Sequence, residues 1–205
     1  MGALILLSGG ADSAVALYKY TLELGSDNIS ALHFIYGQRH SIESHYAEQL
    51  CDLVKCPISK IDLSQAFQWS NSSLIPNSSL IHWADDKPNK WAVEMRNLVF
   101  LSIAASVAEQ IGAHAIVISA HASDSEYPDC SPEFINFLQK AVHIASSGRV
   151  AIEAPFMRMQ KHEIIELGMA LGVPFEKTWT CYNPIEGAPC GHCAACLERA
   201  RAFGV

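Results

Sequence analysis

The sequence predicts an α/β fold: a doubly wound parallel sheet with helices on both faces. Three observations carry this expectation. Short apolar runs of about five residues alternate with helical patterns of about fifteen, the rhythm of repeated β-α units. The runs are apolar on both sides, as strands covered by two helical layers must be. Half of the 205 residues are hydrophobic and 17% are charged, so a large core can be buried.

The first strand is read at Ala3–Leu7 and stops at "SGGADS", after which a helix spans Ser13–Leu24. A second strand, Ile29–Phe34, leads through Tyr36-Gly37-Gln38 to a helix at Ser41–Lys55. The third strand is Ile58–Leu63. Residues 64–90, rich in Ser, Asn, Pro and Trp, break the rhythm, and a connection this long in a compact domain is usually functional or mobile. Then follow a nearly all-round apolar helix at Glu94–Ile111, a strand at Ala115–Ser119, a helix at Pro132–Ser146, a strand at Val150–Glu153 and a helix at Lys161–Leu171. The final helical stretch, "LERARAF", is too short to stand alone. The organisation expected is a nucleotide-binding α/β domain over residues 1–175, with 64–90 as an irregular insert, and a C-terminal cysteine segment over 176–205.

A net charge of −7 argues against broad nucleic-acid binding, which rests on phosphate neutralisation, but leaves room for a small basic pocket. No apolar stretch approaches the roughly 20 residues of a membrane span, and the N-terminus lacks the basic flank of a signal peptide. A soluble cytoplasmic protein without a membrane partner is expected. Seven cysteines, an odd number in a chain without a secretory signal, speak against a disulfide framework.

In a parallel sheet ligands bind beyond the carboxyl ends of the strands, where Ser8–Ser13 falls. Gly9 and Gly10 let the backbone approach a ligand, and the next helix offers unpaired N–H groups and a partial positive charge. The hydroxyls of Ser8 and Ser13 suit phosphate oxygens. Asp12 would repel phosphate, so it fits a bridging Mg²⁺. Neither G-x-x-x-x-G-K-[ST] nor G-x-G-x-x-G occurs. Instead "SGGADS" is similar to the S-G-G-x-D-S loop of the ATP pyrophosphatases, which bind ATP phosphates, transfer AMP to a substrate oxygen and release pyrophosphate. The plain alternative is a glycine-serine turn with Asp12 or Ser13 as helix cap.

Cys181, Cys190, Cys193 and Cys196 crowd into 16 residues, "CYNPIEGAPCGHCAAC". Their spacing lets four thiolates converge on one tetrahedral Zn²⁺ with no open coordination place, a structural site. An iron–sulfur cluster also takes four cysteines and is the alternative. His192 reads as a spacer.

Tyr36 and Gln38 occupy a second carboxyl-end loop and can face the same crevice. Arg96, at the mouth of a buried helix, suits a phosphate or a salt bridge with Glu94 or Glu109. Asp124, Glu126, Asp129 and Glu133 form an acidic loop, able to accept from a guanine-like N–H edge or to favour the helix start at Pro132. Lys161 suits phosphate or solvent. His33, His114, His121 and His143 show no metal spacing, and no Ser-His-Asp set can be assigned.

These pieces occur together in one family. "SGGADS", "HFIYGQRH", "RNLVFLSIAA", "APFMRMQKHEII" and "TWTCYNPIEGAPCGHCAACLERARAF" resemble the 7-cyano-7-deazaguanine synthases of the queuosine pathway. The resemblance implies an adenine-nucleotide α-hydrolase-type fold, a Cys₄ zinc site and a homodimer. It also implies conversion of 7-carboxy-7-deazaguanine, ammonia and ATP to the nitrile by adenylation, through the amide. Carried over, Ser8, Gly9, Gly10, Asp12 and Ser13 would cradle ATP, and Arg96 and Lys161 would neutralise phosphates. Tyr127, Asp129 and Glu133, with Tyr36 and Gln38, would lie near the base, and Cys181, Cys190, Cys193 and Cys196 would bind zinc. The chain departs from the family where Glu94-Met95 replaces a small pair, where Ser131 replaces Arg, and at "HASDSE". All three are expected around the substrate pocket. They open an alternative: a paralogous adenylating enzyme joining a deazaguanine acid to another amine, such as a protein terminus, in defence or modification.

Overall fold

The computed structural model describes residues 2–38, 42–75, 91–124 and 126–204. Strands β1 (Gly2–Leu6), β2 (Ile29–Ile35), β3 (Ile58–Asp62), β4 (Ala113–Val117) and β5 (Ala151–Glu153) form one sheet in the order β3-β2-β1-β4-β5. Every pairing is parallel. The chain winds outward from β1 to one edge and then returns to wind towards the other. Beside β1 the strand order therefore reverses, opening a crevice at the carboxyl ends.

The helices are α1 (Ala11–Leu24), α2 (Ile42–Val54), α3 (Arg96–Ile111), α4 (Pro132–Ala145), α5 (Lys161–Ala170) and α6 (Ala194–Phe203). Val15, Leu17, Leu50, Ile164 and Ile165 from α1, α2 and α5 pack with Ile5 and Leu7 on one face. Leu101, Ala104, Ile135 and Val142 from α3 and α4 pack with Leu4 and Ile116 on the other. Alternate residues of β1 thus feed opposite cores, the reason its run is apolar without interruption.

The differences from the expected boundaries are local. α1 starts at Ala11 because Gly10 takes the extended N-cap conformation. α3 starts at Arg96 because Met95 is left-handed (φ 53°, ψ 26°). β4 begins at Ala113, in register with Gly2, and ends at Val117, its last rung with β5; Ile118 and Ser119 run on into the crevice. Of the segment 64–90, residues 76–90 lie outside the described residues. Phe67, Leu74 and Ile75 pack with Tyr36 and Val93 in a small apolar cluster beside the crevice. α6 is held by tertiary contacts: Phe203 meets Phe175 edge-on at 5.0 Å. Among the described residues, no helix is long and apolar enough to cross a membrane.

Candidate active site and metal centre

A cleft of about 280 Å³ opens beyond β1, β2 and β4, lined by the first loop on one side and by the start of α3 on the other. The loop is built from its own hydroxyls. Ser8 N–H donates to Ser13 Oγ (3.2 Å), Gly10 N–H donates to Ser8 Oγ (3.1 Å) and Ser13 Oγ donates to the Gly10 carbonyl (3.1 Å). No side chain caps α1 at Gly10, so the plain capping reading of Asp12 or Ser13 does not hold. Gly9 has φ +86°, and a Cβ there would lie 2.5 Å from the Glu43 carbonyl oxygen. Only glycine fits, because α2 passes directly behind the turn.

Asp12 points across the cleft mouth. Its Oδ2 accepts from the Lys161 ammonium, and His121 Nε2 lies 3.6 Å away. Burial alone would raise the Asp12 pKa, but Lys161 and His121 hold it down at about 2. Asp12 Oδ1 is buried and has no hydrogen-bond partner, and the same is true of Ser119 Oγ and His121 Nδ1. A carboxylate oxygen kept charged and unpartnered beside a phosphate-type loop fits a divalent cation.

The opposite wall is aromatic and cationic. Arg96 donates to the Tyr36 hydroxyl at 3.3 Å and lies over the Tyr36 ring. Burial opposes its charge, but Tyr36, Tyr182, Glu43 and Asp129 around it keep the guanidinium firmly protonated. Neither expected partner takes it. Glu109 pairs with Arg149, and Glu94 accepts from Ser70 Oγ. Tyr36, pushed up to about 12 by burial and then by Glu43, remains a phenol. Tyr127 and Asp129 line the cleft. The Asp129 carboxylate accepts from Asn97 N–H at 2.8 Å, so it also caps α3.

The structure thus brings Ser8, Gly10, Asp12, Ser13, Tyr36, Arg96, Tyr127, Asp129 and Lys161 to one cleft, with Gly9 forming the turn beneath it. Two residues expected near the base lie elsewhere. Glu133 is exposed in the first turn of α4, and Gln38 turns back to bond Tyr36 N–H, outside the lining. The departures Glu94, Met95 and Ser131 are also outside the lining, contrary to the expectation that they surround the pocket. Glu94 and Met95 are exposed, and Ser131 accepts from Phe134 N–H as the N-cap of α4. His121 and Glu43 line the cleft although the sequence reading assigned them no site role, and Asp124, read as part of the acidic loop, lines it too. Each is one polar letter among several in its segment, and only the strand ends bring them together.

Sγ atoms of Cys181, Cys190, Cys193 and Cys196 all lie within 4.8 Å of one another. Zn–S bonds of about 2.3 Å in a tetrahedron require S···S separations near about 3.8 Å, so the four fit a single ion. Backbone N–H groups of Cys190 and Cys193 point at Cys181 Sγ and Cys190 Sγ, both at 3.3 Å, which orients the sulfurs. His192 bonds the Cys190 carbonyl and stays outside the cluster.

A parallel sheet with this loop at its reversal point, facing buried cations, defines a class: a doubly wound α/β protein with a ligand cleft beyond the carboxyl ends of its strands. The chain superposes on the NMN synthetase of Francisella tularensis with a TM-score of 0.58 at 19% identity, over 100% of this chain and 72% of that one. It superposes on the NH3-dependent NAD synthetase of Campylobacter jejuni with a TM-score of 0.54 at 17% identity, over 86% and 66%. Residues 2–205 match the family model "Queuosine biosynthesis protein QueC". Two proteins named 7-cyano-7-deazaguanine synthase are similar along almost the whole chain. That of Aquifex aeolicus is 38% identical over 98% of this chain and 96% of its own length; that of Archaeoglobus fulgidus is 40% identical over 99% and 86%. The chain belongs to the QueC family, ligases of queuosine biosynthesis.

Proposed function

We propose that the protein adenylates 7-carboxy-7-deazaguanine with ATP and uses ammonia to form 7-cyano-7-deazaguanine through the amide. One observation carries this reading: the uncapped α1 N-terminus, Lys161 and Arg96 converge on a single cleft at the reversal point of the sheet. A carboxylate oxygen is a very poor leaving group towards ammonia. Its attack on the α-phosphorus of ATP releases pyrophosphate and converts it to part of a departing AMP. Ammonia then attacks the carbonyl carbon, AMP leaves, and a proton is lost to give the amide. A second activation at the amide oxygen, with loss of AMP and protons, gives C≡N. The same loop serves both rounds.

Ser8, Gly9, Gly10 and Ser13 bind phosphate oxygens, and Arg96 and Lys161 offset charge on the leaving pyrophosphate. Asp12 would hold Mg²⁺, which supplies charge neutralisation on the triphosphate. Tyr127, Asp129 and Tyr36 contact the heterocycle, with Glu133 and Gln38 further out. Zinc is the ion proposed for the four cysteines, as a structural centre, in a cytoplasmic homodimer. The alternative acceptor rested on altered pocket charge. Glu94, Met95 and Ser131 lie outside the cleft lining, whereas "HASDSE" brings His121 and Asp124 into it, so the alternative rests on that departure alone. The test is mass spectrometry of products from the acid, ammonia and Mg-ATP. The nitrile is expected; an amide or adenylate as the sole product overturns nitrile synthesis.

A further inference from the structure

The cysteine segment and the phosphate loop are joined by a short chain of contacts. Cys193 is the N-cap of α6 and Cys196 lies in its first turn, so the metal cluster fixes where α6 begins. One turn further on, Arg199 reaches back. Its NH1 donates to Thr178 Oγ1 and Thr180 Oγ1, both at 2.9 Å, and its NH2 donates to the Phe175 carbonyl at 2.8 Å. Thr178 Oγ1 donates in turn to the Phe175 carbonyl at 2.7 Å. These bonds hold residues 175–180 in one conformation. Between the two threonines stands Trp179, whose backbone N–H donates to the Gly9 carbonyl at 2.8 Å. The Trp179 indole stacks on Tyr46 at 5.6 Å and donates from Nε1 to the Cys181 carbonyl. Gly9 is thereby held between α2 behind it and the Trp179 strut beside it.

We propose that Arg199 is a positioning residue for the nucleotide: it fixes the 175–180 segment so that Trp179 N–H sets the orientation of the Gly9–Gly10 peptide, and with it the phosphate-binding N–H groups. This rests on the ATP reading of the loop. A guanidinium suits the task because its planar fork reaches the three acceptors from two nitrogens in fixed directions, a geometry that the single, freely rotating ammonium of a lysine does not reproduce. Solvation or a simple surface ion pair does not explain Arg199, since these three partners are neutral oxygens of one short segment. Its ring contact with Phe203, at 5.1 Å, completes its packing.

The test compares wild type, Arg199→Ala, Arg199→Lys and Thr178→Val, each with its metal content measured. For Arg199→Ala the expected result is about a tenfold rise in Kd for Mg-α,β-methylene-ATP and in KM for ATP, the scale of one or two charge-assisted hydrogen bonds. KM for the deazaguanine acid and metal content should be unchanged. Arg199→Lys should fall between Arg199→Ala and wild type. Amide exchange of residues 8–13 should quicken while that of β1 and β4 does not. Unchanged nucleotide affinity and loop exchange in Arg199→Ala overturn the proposal, as does an equal rise in both KM values with metal loss. Should Arg199→Ala not fold, Thr178→Val, outside the cleft lining and losing the two bonds made by the Thr178 hydroxyl, decides by a smaller shift in the same direction, which supports the strut, or by none, which overturns it. If wild type binds no nucleotide, the ATP reading fails, and the exchange measurement still decides the strut.

Discussion

Lys161 Nζ sits on Asp12 Oδ2, joining residues that begin two different helices at the mouth of one cleft. The pair leaves Asp12 Oδ1 buried without a partner, so the carboxylate is half committed and half available. On the proposed ATP reading, that available oxygen is where a cation would join the triphosphate.

Asp12→Asn should reduce pyrophosphate release at least about a hundredfold, the scale of removing an electrostatic group at a transition state. The far-ultraviolet circular dichroism should remain that of the wild type. Full turnover in this variant would remove the metal role from Asp12.

The same carboxyl makes the fold acid-sensitive over a defined range. Its pKa is held at about 2, below the ordinary 3.8 it regains on unfolding. The stabilisation, about 2 kcal/mol by linkage, is present above pH 3.8 and is lost as pH falls towards 2. Urea midpoints for wild type and Asp12→Asn should converge over that interval.

Gly9→Ala places a Cβ 2.5 Å from a backbone oxygen at a left-handed φ. A loss of about 2–4 kcal/mol in urea unfolding is expected, combining strain and overpacking, together with weakened Mg-ATP binding by calorimetry. Wild-type behaviour on both counts would mean that α2 can retreat.

Cys193→Ser removes one of four sulfurs from a cluster whose members hold the start of α6. Metal analysis should fall from about one ion per chain to well below it, and Tm should drop with it. A variant that is metal-free yet equally stable would contradict a structural centre.

How far the sequence could be read depended on whether the signal was local. The alternation of "ALILL" with the glycine corner announces a buried strand ending at a ligand, and the cysteine spacing announces one ion; both depend on neighbours in the chain. Met95 shows the opposite case. It stands where the family usually has a small residue, and the structure gives the reason: the backbone there is left-handed, which glycine adopts freely. Because Met95 faces solvent, its substitution says nothing about the pocket. Glu133 misled in another way, whereas Asp129 of the same acidic stretch does line the cleft. Acidic residues before a proline-led helix look alike whether they face the cleft or the solvent. Only the packing of α4 separates the two. His121 was unreadable because its relevance comes from Asp12, more than a hundred positions earlier.

The bond from Trp179 N–H to Gly9 O also orders events in time. A ribosome makes Gly9 long before Trp179, and until Trp179 emerges a nascent chain has a corner with no brace.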